Sequence, residues 1–395
     1  MRLCAAFLAL ASACPAHAQT LRDAVEAAWA KQPMAQARVA REAELDARRA
    51  ATRALSPEPP SIGVAHLTDQ VGNNEGKREW ELELSMPLWL PGQRDRRLAV
   101  VEAEAVQFSS GSSAAKWRIA GEVREAYWQM RLADAELQLA RRKATEAGVL
   151  RAEVDKRFRA GDVARLDINQ AEIAEQLASI TVAEAQSKLA RAIQTFRGLT
   201  GLSTAAEQAE APPTTPVDLD AHPALQALTR AGDAAMTRLN QVGADTRDPP
   251  EVSLGGKRER EAAGEPSSNG LFIRFRMPFA TAARNQPRIT AANADLIEAR
   301  AAYEVERRRL ESEIEAARRE QEFATAAIAL AERRFALASD TQRLAARGFS
   351  LGEFDLVTRL RAESERFDAE LALQRARIEA SRAASKVNQA YGLIP

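Results

Sequence analysis

Between Trp80 and Leu88 the chain alternates: Trp80, Leu82, Leu84, Met86 and Leu88 are apolar, and Glu81, Glu83 and Ser85 between them are polar. A period of two is that of a β-strand with one face in an apolar medium and the other in water. Pro87 and Pro91-Gly92 end the alternation, and a long Ala/Glu/Arg-rich helical pattern follows. The same event recurs downstream. Leu271, Ile273, Phe275, Met277 and Phe279 alternate with Phe272, Arg274, Arg276 and Pro278, and a second long helical pattern follows. Met86-Pro87 and Met277-Pro278 are 191 positions apart, as are Phe158 and Phe349, Gly161 and Gly352, Ala171-Glu172 and Ala362-Glu363, and Gly201-Leu202 and Gly392-Leu393. An offset that holds without drift means a duplicated unit with no net insertion.

The first repeat is expected over residues 19–202, a Pro/Thr/Ala linker over 203–221 and the second repeat over 222–395. In copy one, Thr20 and Asp23 suit the start of a helix carrying through to Leu55. A weak strand at Ser61–Thr68, a polar turn at Asp69–Lys77 and the strong strand then make a hairpin. The pattern from Gln93 to Phe158 has no proline, and about 65 helical residues would reach ~100 Å, longer than an ordinary globular domain needs. A tight turn at Arg159–Asp162 precedes a return helix of half that length, Arg165–Phe196. Copy two repeats the order: a short helix opened by His222-Pro223, a weak strand at Glu251–Lys257, a polar loop at Arg258–Asn269 and the strong strand Leu271–Phe279. The long helix is expected from Ala283 to Arg347, a turn at Gly348–Gly352 and a return helix at Glu353–Tyr391.

Residues 1–18 fit a secretory leader: Arg2, an apolar run and Ala16-His17-Ala18, too short to span a membrane. Both cysteines, Cys4 and Cys14, would leave with it. Acylation at Cys14 is the alternative. Lys and Arg total 55 against 55 Asp and Glu, so there is no bulk basic footprint for nucleic acid. No apolar run approaches the roughly 20 residues of a spanning helix. Neither a nucleophile motif nor a phosphate-cradling loop is present. His66 and His222 lack metal-ligand spacing, so no enzyme activity, cofactor or metal site is expected.

The expected fold class is α+β. Each copy supplies two strands of transmembrane length. Four strands cannot close a barrel, and open edges cannot sit in lipid. Pooling strands from three chains would give a twelve-stranded barrel, its lumen lined by Glu81, Glu83, Arg274 and Arg276. Trp80, Leu82, Leu84, Leu271, Ile273 and Phe275 would face lipid, and the helices would continue as a coiled-coil tube.

The whole mature chain resembles the TolC family of outer-membrane factors: short helix, hairpin, long helix, glycine turn and return helix, twice over. The motifs that carry the resemblance are the Met-Pro entries to the long helices and the turns Ala160-Gly161-Asp162 and Leu351-Gly352-Glu353. It implies a homotrimer with a β-barrel in the outer membrane and a helical barrel in the periplasm. Such a duct is passive, recruited through a periplasmic adaptor by an inner-membrane pump. The resemblance places Gly161, Asp162, Gly352 and Glu353 at the adaptor-facing tip and Asp167 in the closed gate. Thr358 and Arg361 stand where well-known members carry carboxylates, so an acidic constriction is not expected. The segment Pro87–Arg94 is similar to cation-efflux members, which favours heavy-metal ions or small toxic compounds moved by a resistance-nodulation-division pump. A type I protein-secretion duct and a periplasmic coiled-coil scaffold remain the alternatives.

Overall fold

The computed structural model describes residues 20–72, 74–204, 210–213 and 218–395. The expected leader at 1–18, with Cys4 and Cys14, and linker residues 205–209 and 214–217 lie outside the described residues. Along the chain the elements are α1 (Leu21–Ala30), α2 (Pro33–Thr52), β1 (Ser61–Thr68), β2 (Arg78–Pro87), α3 (Gln93–Ala160) and α4 (Arg165–Thr200). A short 3-10 turn at Leu219–Ala221 leads to α5 (Pro223–Ala244), β3 (Glu251–Arg260), β4 (Ser268–Arg276), α6 (Ala282–Leu351) and α7 (Leu356–Ala390). Contacts divide the chain into two compact units. One comprises Met1–Gln32, Lys116–Pro216 and Glu313–Pro395, and the other Pro33–Ala115 with Val217–Ser312. Each unit draws on both repeats.

Three expectations are corrected. The first helix is two helices, because Pro33 has no N–H and disfavours helical geometry at Gln32; α1 closes at Ala30 and α2 starts on the proline. In copy two the polar loop shrinks to 261–267, since Arg258, Glu259 and Arg260 stay in the ladder opposite Trp80, Glu79 and Arg78. These charges sit at a sheet end where water can reach them. The third correction concerns the second turn, for α6 runs through Gly348 to Leu351. Gly348 is needed inside that helix for its lack of a side chain, since a Cβ there would lie 2.3 Å from the Phe354 ring.

The sheet-bearing unit contains four antiparallel strands in the order β1-β2-β3-β4. Register puts Leu82 between Val64 and Gly256, and Leu84 between Ile62 and Leu254, with Ile273 beyond Leu254. Ile62, Val64, Trp80, Leu82, Leu84, Leu254, Leu271, Ile273 and Phe275 therefore share one face. The weak alternation of β1 is settled by its pairing. On the opposite face Glu83 opposes Gly63 and Gly255, and Ser85 opposes Ser61 and Ser253. The outer edges of β1 and β4 carry no strand partner among the described residues.

The second unit is helical. Leu21, Ala24, Val25 and Ala28 recur at helical spacing on α1 and are buried against Ala120, Val123, Tyr127 and Met130 of α3 and Phe196 of α4. The Thr20 hydroxyl accepts the Asp23 N–H at 3.2 Å while Asp23 accepts the Thr20 N–H at 2.8 Å, closing the start of α1. α3 runs between α4 and α7. Glu136 of α3 takes Lys188 of α4 at 2.6 Å and Arg375 of α7 at 2.7 Å. On its other side α7 meets α6, where Arg377 reaches Glu332 at 2.9 Å and Lys386 reaches Glu320 at 2.6 Å.

Candidate functional site

Specialised geometry is concentrated in two regions of the chain, the polar face of the sheet and the turns that join long to return helices. On the sheet, Arg274 crosses two strands. Its guanidinium meets Glu81 at 2.7 Å and also pairs with Glu83. Gly255, which opposes Glu83 on one side and Phe272 on the other, leaves room for the crossing. A Cβ there would stand 2.2 Å from the Phe272 ring, and Arg274 lies 4.9 Å over the centre of that same ring. Arg276 pairs with Glu251, and Lys257 with Glu259 and, at 3.3 Å, with Glu79. The four residues expected to line a lumen, Glu81, Glu83, Arg274 and Arg276, thus belong to one ion-paired face. The six residues expected to meet lipid, Trp80, Leu82, Leu84, Leu271, Ile273 and Phe275, all lie on the other face and all are exposed. A sheet this divided suits a boundary between water and an apolar medium.

The turns are built alike. Gly161 has φ 84° and Gly352 φ 78°, a left-handed conformation that glycine adopts without strain. The Asp162 N–H reaches the Arg157 carbonyl at 2.9 Å and the Glu353 N–H reaches the Gly348 carbonyl at 2.8 Å, capping both long helices. Gly161, Asp162, Gly352 and Glu353 are all exposed. Asp167 is engaged locally, its carboxylate accepting the Ala164 N–H at 3.0 Å at the start of α4. In copy two the cap moves to Asp355, which accepts the Thr358 N–H at 2.9 Å. Those hydrogen bonds hold the Asp355 carboxyl below the usual carboxylate range. Arg361 is exposed and pairs with Glu365 one turn on, at 3.1 Å. Asp167 and Thr358 are thus committed to their own helix starts, and Arg361 to the next turn of α7, rather than to one another.

Sequence reasoning missed the group that joins the two turns. Phe349 of α6 is buried with Leu150 and Val154 of α3, Ala171 of α4 and Leu356 of α7. Arg157 lies 4.7 Å over its ring and Arg359 5.1 Å. Arg157 also donates to the Phe349 carbonyl at 3.1 Å, and Glu153 takes Arg359 at 2.9 Å and Arg157 at 3.3 Å. Glu363, 3.1 Å from Arg359, is pushed above the usual carboxylate range by burial. The signal lay in the divergence of the copies: Arg157 aligns with Gly348, and Arg359 with Ile168. Positions that carry a cation in only one copy mark a contact made once per chain.

His66 stacks on Trp80 at 4.0 Å, and His222 caps α5 by accepting the Ala224 N–H at 3.1 Å. Among the described residues no cluster of His, Cys, Asp or Glu is arranged to hold a metal ion, and no helix is long and apolar enough to cross a membrane.

No family model matches the chain, and no curated protein matches it. Solved structures do. CusC, studied for folding and transmembrane channel formation, matches with a TM-score of 0.74 at 18% identity, over 95% of this chain and 92% of that one. The Campylobacter jejuni CmeC outer membrane channel gives 0.73 at 14%, over 94% and 85%. The Vibrio cholerae outer membrane protein VceC gives 0.72 at 16%, over 94% and 96%. The chain therefore has, nearly end to end, the fold of outer-membrane channel proteins.

Proposed function

We propose that the chain is the outer-membrane exit duct of a tripartite efflux system. The observation that carries the reading is the sheet, with one face apolar and exposed, the other ion-paired, and both edges open. Unpaired backbone edges are not tolerated in lipid, and the smallest bacterial barrels have about eight strands. Completion by β1 of one copy on β4 of the next removes every edge, and three copies give twelve strands. In that barrel Glu81, Glu83, Arg274 and Arg276 line the lumen, a reading supported by their shared ion-paired face. The open flanks of α4 and α6 call for the same remedy. Phe323, Leu330, Leu337, Leu344 and Leu351 recur every seventh residue of α6 at 52 to 73% exposure. Leu166, Ile173 and Ile180 do the same on α4. Seven-residue apolar repeats are coiled-coil seams awaiting a partner, and a neighbouring copy supplies one to each.

In this reading Gly161, Asp162, Gly352 and Glu353 form the adaptor-facing tip. The inner-membrane pump, of the resistance-nodulation-division type, supplies the energy. The cargo is a heavy-metal ion or a small toxic compound. The gate includes Asp167, Thr358 and Arg361, and opening it within a chain has to separate Phe349 from Arg157 and Arg359. The test is the mass of the protein extracted from outer membranes in mild detergent. A membrane-borne trimer is expected. A soluble monomer or dimer in the periplasmic fraction would replace the duct by a coiled-coil scaffold.

A further inference from the structure

The sheet end from which the helices depart carries a basic and aromatic patch that neither the lumen nor the helical seams use. The Trp89 indole follows β2 and donates to the Ala54 carbonyl at 3.0 Å. Two arginines at the start of α3 lie over its ring, Arg97 at 5.2 Å and Arg94 at 5.8 Å. Arg94 also donates to the carbonyls of Thr52 at 3.0 Å and of Arg53 and Ala54 at 2.6 Å. It therefore neutralises only the partial charge of the α2 end and keeps most of its own. Arg53 is exposed, and beside it Leu55 is 81% exposed.

The local carboxylates do not balance these three cations. Arg53, Arg94 and Arg97 form no ion pair among the described residues. Glu102, five residues beyond Arg97 on α3, has both oxygens held by Arg49 at 2.8 and 2.9 Å, and Arg53 acts on it electrostatically as well. Asp245 is taken by Arg96 at 3.2 Å. Asp95 and Glu58 are the remaining acids of the two segments, both exposed. An exposed leucine, an amphipathic indole and arginines that outnumber the free acids beside them, at the end of an apolar strand face, are what a water–lipid boundary selects.

We infer that Arg53, Arg94 and Arg97, with Trp89 and Leu55, form a docking site for the phosphate of an anionic phospholipid in the leaflet that meets the helices. The inference rests on the membrane reading of the sheet. Leu55 and the Trp89 ring take the apolar side of the boundary, and the arginine donors take the phosphate oxygens. Copy two lacks the site, because at the 191-residue offset Ala280 stands for Trp89 and Asn285 for Arg94, so each chain presents one such patch.

The test uses full-length protein in nanodiscs of phosphatidylcholine with and without phosphatidylglycerol. Incorporation and oligomeric mass are scored first and retained lipid second, by native mass spectrometry. The wild type is expected to retain phosphatidylglycerol over phosphatidylcholine, by about fivefold for each unpaired arginine at such a surface. R53Q/R97Q is expected to lose that preference while keeping its mass. Equal retention of both lipids by the wild type overturns the site, as does an unchanged preference in R53Q/R97Q. Failure to enter either disc overturns the membrane reading and takes the site with it.

Discussion

At the scale of the residue, His222 is the most constrained titratable group. It is buried to 1% exposure at the start of α5, where its ring nitrogen must be unprotonated to accept the Ala224 N–H. Burial pushes its pKa down to about 4, aided by Arg309 and opposed by Glu306. The unfolded chain, with an ordinary histidine near ~6.5, binds the proton more readily in between. The stabilisation is therefore fully present above about pH 6.5. It is lost as pH falls toward about 4. A shift of this size corresponds to about 3 kcal/mol. Asparagine also caps helices well but does not titrate. H222N should have a thermal midpoint that changes less than the wild type's between pH 7 and pH 4.5. Parallel pH curves for the two proteins would show that His222 does not carry the acid sensitivity.

At the scale of the element, the open seam on α6 is the part most exposed to test. Leu330 and Leu337 lie seven residues apart in the middle of the row, where a partner helix would bury both. Carboxylates there would be desolvated without a partner, at a cost of several kcal/mol, while α6 itself loses little because both positions face outward in one chain. L330D/L337D should therefore keep its helical circular dichroism and lose its oligomeric mass. An intact oligomer would place the seam outside any subunit contact. The seam also illustrates what sequence can deliver. Strand alternation and the 191-residue offset are properties of neighbouring or aligned residues, and both are legible without coordinates. The break at Gln32 needed Pro33 to outweigh a helix-favouring context on both sides. The Arg157–Phe349–Arg359 group could not be seen from periodicity, because its members come from α3, α6 and α7. Their meeting depends on how the two turns fall together.

At the scale of the whole molecule, the decisive property is the opposition of the two sheet faces. Leu82 and Ile273 sit near the middle of β2 and β4 on the apolar face, while Glu81 and Arg274 pair on the polar one at 2.7 Å. If the apolar face meets lipid, an arginine near mid-depth costs about 2–4 kcal/mol per site. Assembly from three copies multiplies that cost threefold over both positions. L82R/I273R should then be made and exported but fail to reach the outer membrane as an oligomer, and it should be degraded or recovered in the periplasm. E81Q/R274Q changes the same two strands on their other face, removing solvent-exposed ion pairing of Arg274 with Glu81 and Glu83 that contributes little to stability. It should assemble normally and alter only the ion selectivity of the open channel. The pair of variants separates lipid contact from general damage to the sheet. Normal membrane assembly of L82R/I273R would mean that the apolar face is covered by protein rather than lipid. The four-stranded sheet would then be completed by something other than copies of this chain in a bilayer.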